Sequence, residues 1–471
     1  MSEIQQQQHK PVSIFQLLKK AVLGDEHDYT SGSINKAIFL LAVPMVIEMV
    51  LEALFAIVDI YFVNKEGVDA TTTVGLTEAS LTILYSVAWG LSIGVTALVA
   101  RRAGEKNFEA AAEVGKQALI VGILFSLVIS VTGFFFSREI LLFMGATPKI
   151  ADENYRFTQI MLTGNVVIML LFINNAIFRG VGNASIAMKS LLLANGINIV
   201  LDPLLIRGIG PFPHMGVMGA AVSTTIGRTC GVLYQFYHLY NGKAALVKLR
   251  GRLKPELDII RAILTTSSGG MFQFIIGSCS WIFLARIIAS SGPEVTSGYI
   301  TAIRICIFTI LPAWGLANAA ATLVGQNLGA RQPDRAELSV WRTAFITLCF
   351  FALVSLVFFF FGENLMLFFI QDKVAVAEGT RCLHILSIGY MFFAYGMIIS
   401  QAFNGAGDTR TPTYINLVAF WAIQIPLAYL LAKTAGLGSK GVYIAIGIAE
   451  SILAIVCIII FKKGRWKLVN V

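Results

Sequence analysis

Polar residues along this chain fall in short clusters, and between them apolar residues run on for 20 or more positions at a time. About 20 apolar residues are what a helix needs to cross a bilayer, since a rise of roughly 1.5 Å per residue then covers a hydrocarbon core about 30 Å thick. The pattern predicts twelve spans, at 37–63, 72–100, 114–136, 157–180, 185–206, 216–240, 259–288, 296–326, 341–361, 382–405, 412–432 and 441–461. The runs are too continuous for the alternating strands of a membrane barrel. The expected fold class is an all-α polytopic membrane protein with 12 transmembrane helices.

The spans repeat. WGLSIGVTALVARRAG (89–104) lies over WGLANAAATLVGQNLG (314–329), ENYRFTQIMLTG (153–164) over EGTRCLHILSIG (378–389), and FRGVGN (178–183) over FNGAGD (403–408), all at one offset of 225 residues. Six spans per half is an even number, so both halves enter the membrane in the same orientation. They form two parallel six-helix repeats about a pseudo-twofold axis along the membrane normal. The expected organisation is an N-terminal segment 1–35, an N-lobe 36–240 (helices 1–6), a basic linker 241–258, a C-lobe 259–461 (helices 7–12) and a tail 462–471. Two bundles that rock about a shared cavity are the physical basis of alternating access.

Charge gives the orientation. Only 13% of the 471 residues are charged and 56% are hydrophobic, against about 25% charged in a soluble domain. With both termini cytoplasmic, the segments on that side and the span ends beside them hold 24 of the 36 Lys and Arg residues, with the densest cluster at Lys243 to Arg261. The net charge of +9 thus reads as topology and contact with anionic lipid in a cytoplasmic (inner) membrane, not as nucleic-acid binding. The first 35 residues do not have the form of a cleaved signal peptide. Ile14, Phe15, Leu18 and Val22 with Lys19 and Lys20 suit either a short helix on the membrane surface or a flexible tail. The six cysteines show no CxxC spacing and read as free thiols. No phosphate-loop, HExxH or paired Cys/His pattern is present, so no enzyme activity and no cofactor are expected.

The informative chemistry is acid inside the spans. In VPMVIEMVLEALFAIVDIYFV (43–63), Glu48, Glu52 and Asp59 fall at i, i+4 and i+11 and share one helical face to within about 40°. Pro44, a turn before Glu48, marks an expected helix kink. In span five, Asn198 and Asp202 share a face, with Pro203 expected to break the backbone ladder, and span four adds Asn174 and Asn175. The repeat-mates of Glu48, Glu52, Asp59, Asn175, Asn198 and Asp202 are Gln273, Gly277, Leu284, Ser400, Ile423 and Leu427. The second lobe crosses the membrane without these acids, so their role belongs to the first lobe. A buried carboxylate pair with amides either takes up a proton or holds Na⁺ through oxygen ligands. The expected ion-coupling set is Asp59, Asp202, Asn198 and Asn175, which would also be the ligands of Na⁺. Glu48, Glu52 and Gln273 are candidates for a substrate cavity. Glu78, Glu450, Arg228, Arg286 and Arg304 are further charges in the spans with no partner that the sequence names.

Over residues 31–461 the chain resembles the multidrug and toxic compound extrusion (MATE) family. The resemblance rests on six-plus-six spans, the turns FRGVGN and FNGAGDTRTP, and Pro44 fifteen residues before Asp59 in an IVD context. Asp59, Asn175, Asn198 and Asp202 match the prokaryotic branch that carries its cation site in the first lobe. The resemblance implies a secondary antiporter, working as a monomer, that exports bulky cationic or amphipathic compounds in exchange for H⁺ or Na⁺. Two other readings stand beside it: a lipid-linked saccharide flippase of the same superfamily, and a non-transporting membrane enzyme or partner protein.

Overall fold

Apolar runs in hydrocarbon must satisfy every backbone N–H and C=O internally, and the helix is the local way to do it. A computed structural model of the chain describes residues 13–24, 28–241 and 254–469. Expectations for residues 1–12 and for most of the linker 241–258 lie outside the described residues. No strand occurs among the described residues. A ten-residue helix α1 (Ile14–Leu23), closed by a capping box between Ser13 and Gln16, precedes the first span. In the first lobe follow α2 (Ile34–Val63), α3 (Val68–Gly104), α4 (Phe108–Phe143), α5 (Pro148–Thr163), α6 (Asn165–Gly180), α7 (Ala184–Arg207) and α8 (Val217–Asn241). The second lobe holds α9 (Leu257–Ala289), α10 (Pro293–Gly329), α11 (Pro333–Phe369), α12 (Lys373–Gly405), α13 (Arg410–Asn416), α14 (Ile425–Tyr429) and α15 (Ser439–Lys462).

The chain is an integral, multi-pass membrane protein. Among the described residues, eleven helical stretches are long and apolar enough to cross a membrane on those grounds alone. The remaining predicted span is α8, which is less apolar because it carries Ser223, Thr224, Arg228 and Gln235, all buried. Two spans depart from the simple pattern. The fourth is a pair, α5 and α6, interrupted at Gly164, where Asn165 donates to the Ser126 carbonyl (3.1 Å) and the Ser130 hydroxyl (2.9 Å). The eleventh widens into π-helical turns at 417–424 and 430–434 on either side of α14, which contains Pro426. A proline lacks the N–H that the ladder needs and crowds the preceding turn, and a wider turn relieves both. Pro44 and Pro203 act more mildly than expected. Each sits inside a helix, α2 and α7, that runs on past it without interruption.

The apolar core of the second lobe is drawn entirely from residues 284–466, whereas that of the first lobe also takes in Ile263 of α9. The lobes are nevertheless stitched together symmetrically. Gly90 of α3 lets the backbone of α9 approach so closely that a Cβ there would lie 2.6 Å from the Met271 nitrogen. Gly315 of α10, its repeat-mate, does the same for Val46 of α2, again at 2.6 Å. Trp89 and Trp314, also repeat-mates, meet with ring centroids 5.7 Å apart. Even backbone strain is duplicated. Lys106 and Arg331, which are 225 residues apart, are the two non-glycine residues with left-handed φ among the described residues, at 59° and 58°.

At the end that carries Arg101, Arg102, Arg331 and the basic tail, the lobes are closed. Gly104 abuts the Gln326 carbonyl, and Gly329 abuts that of Arg101. The Gln326 amide donates across the seam to the Gly180 carbonyl at 2.8 Å. The chain end adds a strap: Trp466 stacks on Phe461, Lys467 pairs with Glu337 (2.6 Å) and Asp334 (3.2 Å), and Arg101 donates to the Val469 carbonyl. Hydrogen bonding to Glu337 holds the Lys467 ammonium above its ordinary pKa. A side chain at position 104 has no room while this end is shut. Gly104→Val is therefore expected to hold the basic end open. In a cysteine-free background carrying Thr96→Cys, an impermeant maleimide added from that side should label at least tenfold faster once Gly104→Val is introduced. An unchanged rate would show that the glycine contact does not control closure.

Candidate functional site

Helix α2 delivers two acidic clusters at different depths. Glu48 and Asp59 share a face but are eleven residues apart, about 16 Å along the axis. The deeper of the two from the basic end is built on Asp59. Its Oδ1 atom is buried and has no hydrogen-bond partner, and the charges of Asp202, Glu78 and Arg228 act on it. On α7, Asp202 is fully buried. It accepts from Asn198 at 3.1 Å and from the Ser223 hydroxyl of α8, a short contact. The Asn198 amide also lies 3.4 Å from both Ser223 and Thr224. Asp202 Oδ2 and Asn198 Oδ1 are left, like Asp59 Oδ1, buried without a donor. A buried oxygen with no donor costs on the order of 1–3 kcal/mol, more when charged, unless a proton or cation meets it. These oxygens are hard donors of the kind that suit H⁺ or Na⁺.

Asn175 does not join this group. Its amide donates to Glu48 Oε1 at 3.0 Å, and its carbonyl accepts from Gln235 of α8 at 2.5 Å. The expectation that it faces Asp59 is corrected by depth, because α6 meets α2 at the level of Glu48. Glu48 itself is only 1% exposed and is not among the lining residues of the two cavities described below. Arg179, one turn after Asn175, brings Nη1 to 3.9 Å from Glu48 Oε1, and donates to the Asn175 backbone carbonyl through Nε (3.2 Å) and to the Ser92 hydroxyl through Nη2 (3.2 Å). It also lines a cavity of about 20 Å³ where Trp89, Thr96, Asn318 and Asn404 of the two lobes converge. The sequence reading missed Arg179 because it opens the FRGVGN turn, though its i+4 spacing from Asn175 was the available signal. Glu52, the other substrate candidate, is engaged by Arg228 at 3.3 Å, and that guanidinium sits 5.0 Å from the Phe55 ring centre. Arg304 instead bears on Glu78.

The second lobe shows what the first has been given. Gln273 and Asn404, the repeat-mates of Glu48 and Arg179, exchange amide hydrogen bonds at 3.0 and 3.1 Å. An ionic contact in one lobe is a neutral contact in the other. Gln273 also lines a larger cavity of about 350 Å³ together with Trp89, Trp314 and Glu450.

The chain is similar to known proteins over most of its length. A family profile described as MatE matches residues 44–204 and 271–430. The probable multidrug resistance protein NorM of Thermotoga maritima is 26% identical over 92% of this chain and 93% of its own length. The FAD transporter of Shewanella oneidensis is 24% identical over 92% and 95%. A solved structure described as the outward-facing conformation of a multidrug resistance MATE family transporter of the MOP superfamily superimposes with a TM-score of 0.87. It is 26% identical and covers 93% of this chain and 97% of that one.

If the pairing with Arg179 is what keeps Glu48 buried, removing one partner is costly and replacing both is not. Arg179→Gln alone should destabilise the detergent-purified protein by about 3–5 kcal/mol. The double variant Glu48→Gln/Arg179→Asn, which copies Gln273 and Asn404, should recover most of that loss in a thermal or denaturant unfolding series. Equal stability of the single and double variants would contradict the pairing.

Proposed function

The chain belongs to the MATE family of membrane transporters, and from that premise we propose that it is a secondary active antiporter exporting cationic or amphipathic drug-like compounds. The observation that carries the proposal is the set of buried, donorless oxygens on Asp59, Asp202 and Asn198, present in one lobe and replaced by Leu284, Leu427 and Ile423 in the other. In this reading H⁺ or Na⁺ enters the first lobe and meets those oxygens, with Ser223 and Thr224 orienting Asp202 and Asn198. Loading with one cation relieves the repulsion within a like-charged pair, which changes the relative free energy of the two lobe arrangements and so couples the ion to rocking. Asn175 serves the neighbouring Glu48 cluster instead.

The positive-inside distribution supports placing the basic end, and both termini, on the cytoplasmic side of the inner membrane. Closure at that end corresponds to an outward-open arrangement. The two parallel lobes within one chain support a functional monomer. Membrane lipid and small-molecule cargo are the partners of this reading; nucleic acid has no place in it. The FAD transporter among the relatives raises an anionic cargo as a second possibility. The 350 Å³ cavity favours cations, because its lining includes a carboxylate and no Lys, Arg or His.

Dye efflux from proteoliposomes under separately imposed proton and sodium gradients tests the proposal. Wild-type protein should move ethidium against at least one gradient. Asp59→Asn should lower gradient-driven efflux at least a hundredfold at equal reconstitution. Full efflux by that variant would remove Asp59 from the coupling site.

A further inference from the structure

Four acids of the first lobe are committed. Glu48 bonds Asn175 and faces Arg179, Glu52 is held by Arg228, and Asp59 and Asp202 form the ion site. Glu78, exposed on α3 with Arg304 bearing on it, lines neither cavity described above. In the second lobe one carboxylate is unspent. Glu450 of α15 makes no hydrogen bond or ion pair among the described residues and lines the 350 Å³ cavity, whose other lining residues carry no charge.

The repeat explains why this cavity exists. In the first lobe, Glu52, Phe55 and Arg228 fill the corresponding space as a stacked ion pair. Their mates are Gly277, Ser280 and Leu453. Gly277 and Leu453 line the cavity, and a Cβ added at Gly277 meets nothing within 4 Å. Deleting a salt bridge and shrinking its side chains has opened a chamber. The mate of Glu450 is Thr225, whose hydroxyl merely bonds the Ala221 carbonyl of its own helix. The acid is thus placed where the space is, and only there.

The walls complete the chemistry. Trp89, Phe274, Trp281, Trp314, Phe393 and Phe420 surround the chamber. Aromatic faces attract cations, by about 2 kcal/mol or more when the pair is desolvated, and they stack on planar ring systems. A carboxylate in hydrocarbon is costly until a counter-charge arrives, so an entering organic cation gains on both counts.

We infer that the second-lobe chamber is the cargo site of this transporter and that Glu450 anchors a lipophilic organic cation in it, apart from the ion site at Asp59 and Asp202. This rests on the cation-export reading above and assigns the cargo to the opposite lobe from the ion.

Ethidium binding to the purified full-length protein, followed by fluorescence polarisation, is the test. Glu450→Gln should weaken binding at least tenfold, whereas Glu450→Asp, which keeps the charge, should stay within about threefold of wild type. Gly277→Phe, which fills open space without displacing backbone, should abolish binding while the protein remains monodisperse. Unchanged affinity in Glu450→Gln, or in folded Gly277→Phe, overturns the inference; if Glu450→Gln does not fold, the Gly277→Phe variant decides. Gradient-driven ethidium efflux by wild type alongside undiminished Glu450→Gln binding defeats this inference alone. Wild type that neither binds nor moves ethidium defeats the export reading with it.

Discussion

A charge inside hydrocarbon has to be met by another charge, a hydrogen-bond donor or a mobile ion, and the first lobe is organised around that requirement. Helix α2 brings three carboxylates, and the other helices answer them one by one. Helix α6 supplies Asn175 and Arg179 for Glu48, and α8 supplies Arg228 for Glu52. Asp59 Oδ1 has no hydrogen-bond partner: the acids Asp202 and Glu78 bear on it, and the one cation that does, Arg228, is already paired with Glu52. The low apolarity of α8 follows from this, since it must furnish Ser223, Arg228 and Gln235 to its neighbours. The residue left without an answer is the one that needs something from outside the protein.

Much of this was legible from residue order. Apolar runs locate spans because hydrocarbon thickness leaves little choice, and the fixed offset of 225 reveals the lobes because their contacts are duplicated to the level of Gly90 with Gly315 and Lys106 with Arg331. Asp202 and Asn198 were recognisable as partners because i and i+4 are neighbours on any helix. Depth was not legible. The level at which one helix meets another is not written in residue order, and Asn175, grouped with Asp59 through the family resemblance, bonds Glu48 instead. Arg179 was hidden because a basic residue beside a Gly-rich turn reads as an exposed loop end. The interruption at Gly164 was hidden because its compensation comes from Ser126 and Ser130, far away in sequence.

Comparing the two lobes shows how one scaffold acquires two tasks. The positions at which they contact one another stay alike, as at Trp89 and Trp314, because both lobes share that seam. Elsewhere, even around the cavities beside that seam, the side chains differ. There, one lobe keeps a salt bridge where the other keeps empty volume, and one keeps a neutral amide pair where the other keeps Glu48 and Arg179. Function has been distributed by subtracting charge from one copy as much as by adding it to the other.

The pairing of Glu52 with Arg228 also has an electrical meaning. Such a pair is neutral as a unit, so its displacement during rocking carries no net charge through the membrane field, whereas Asp59 and Asp202 do so whenever they are empty and ionised. Each uncompensated elementary charge taken fully across meets about 2.3 kcal/mol per 100 mV. Membrane voltage then acts on the carrier in proportion to how many of those two carboxylates remain ionised, and the transport cycle inherits a voltage dependence to which each of them contributes.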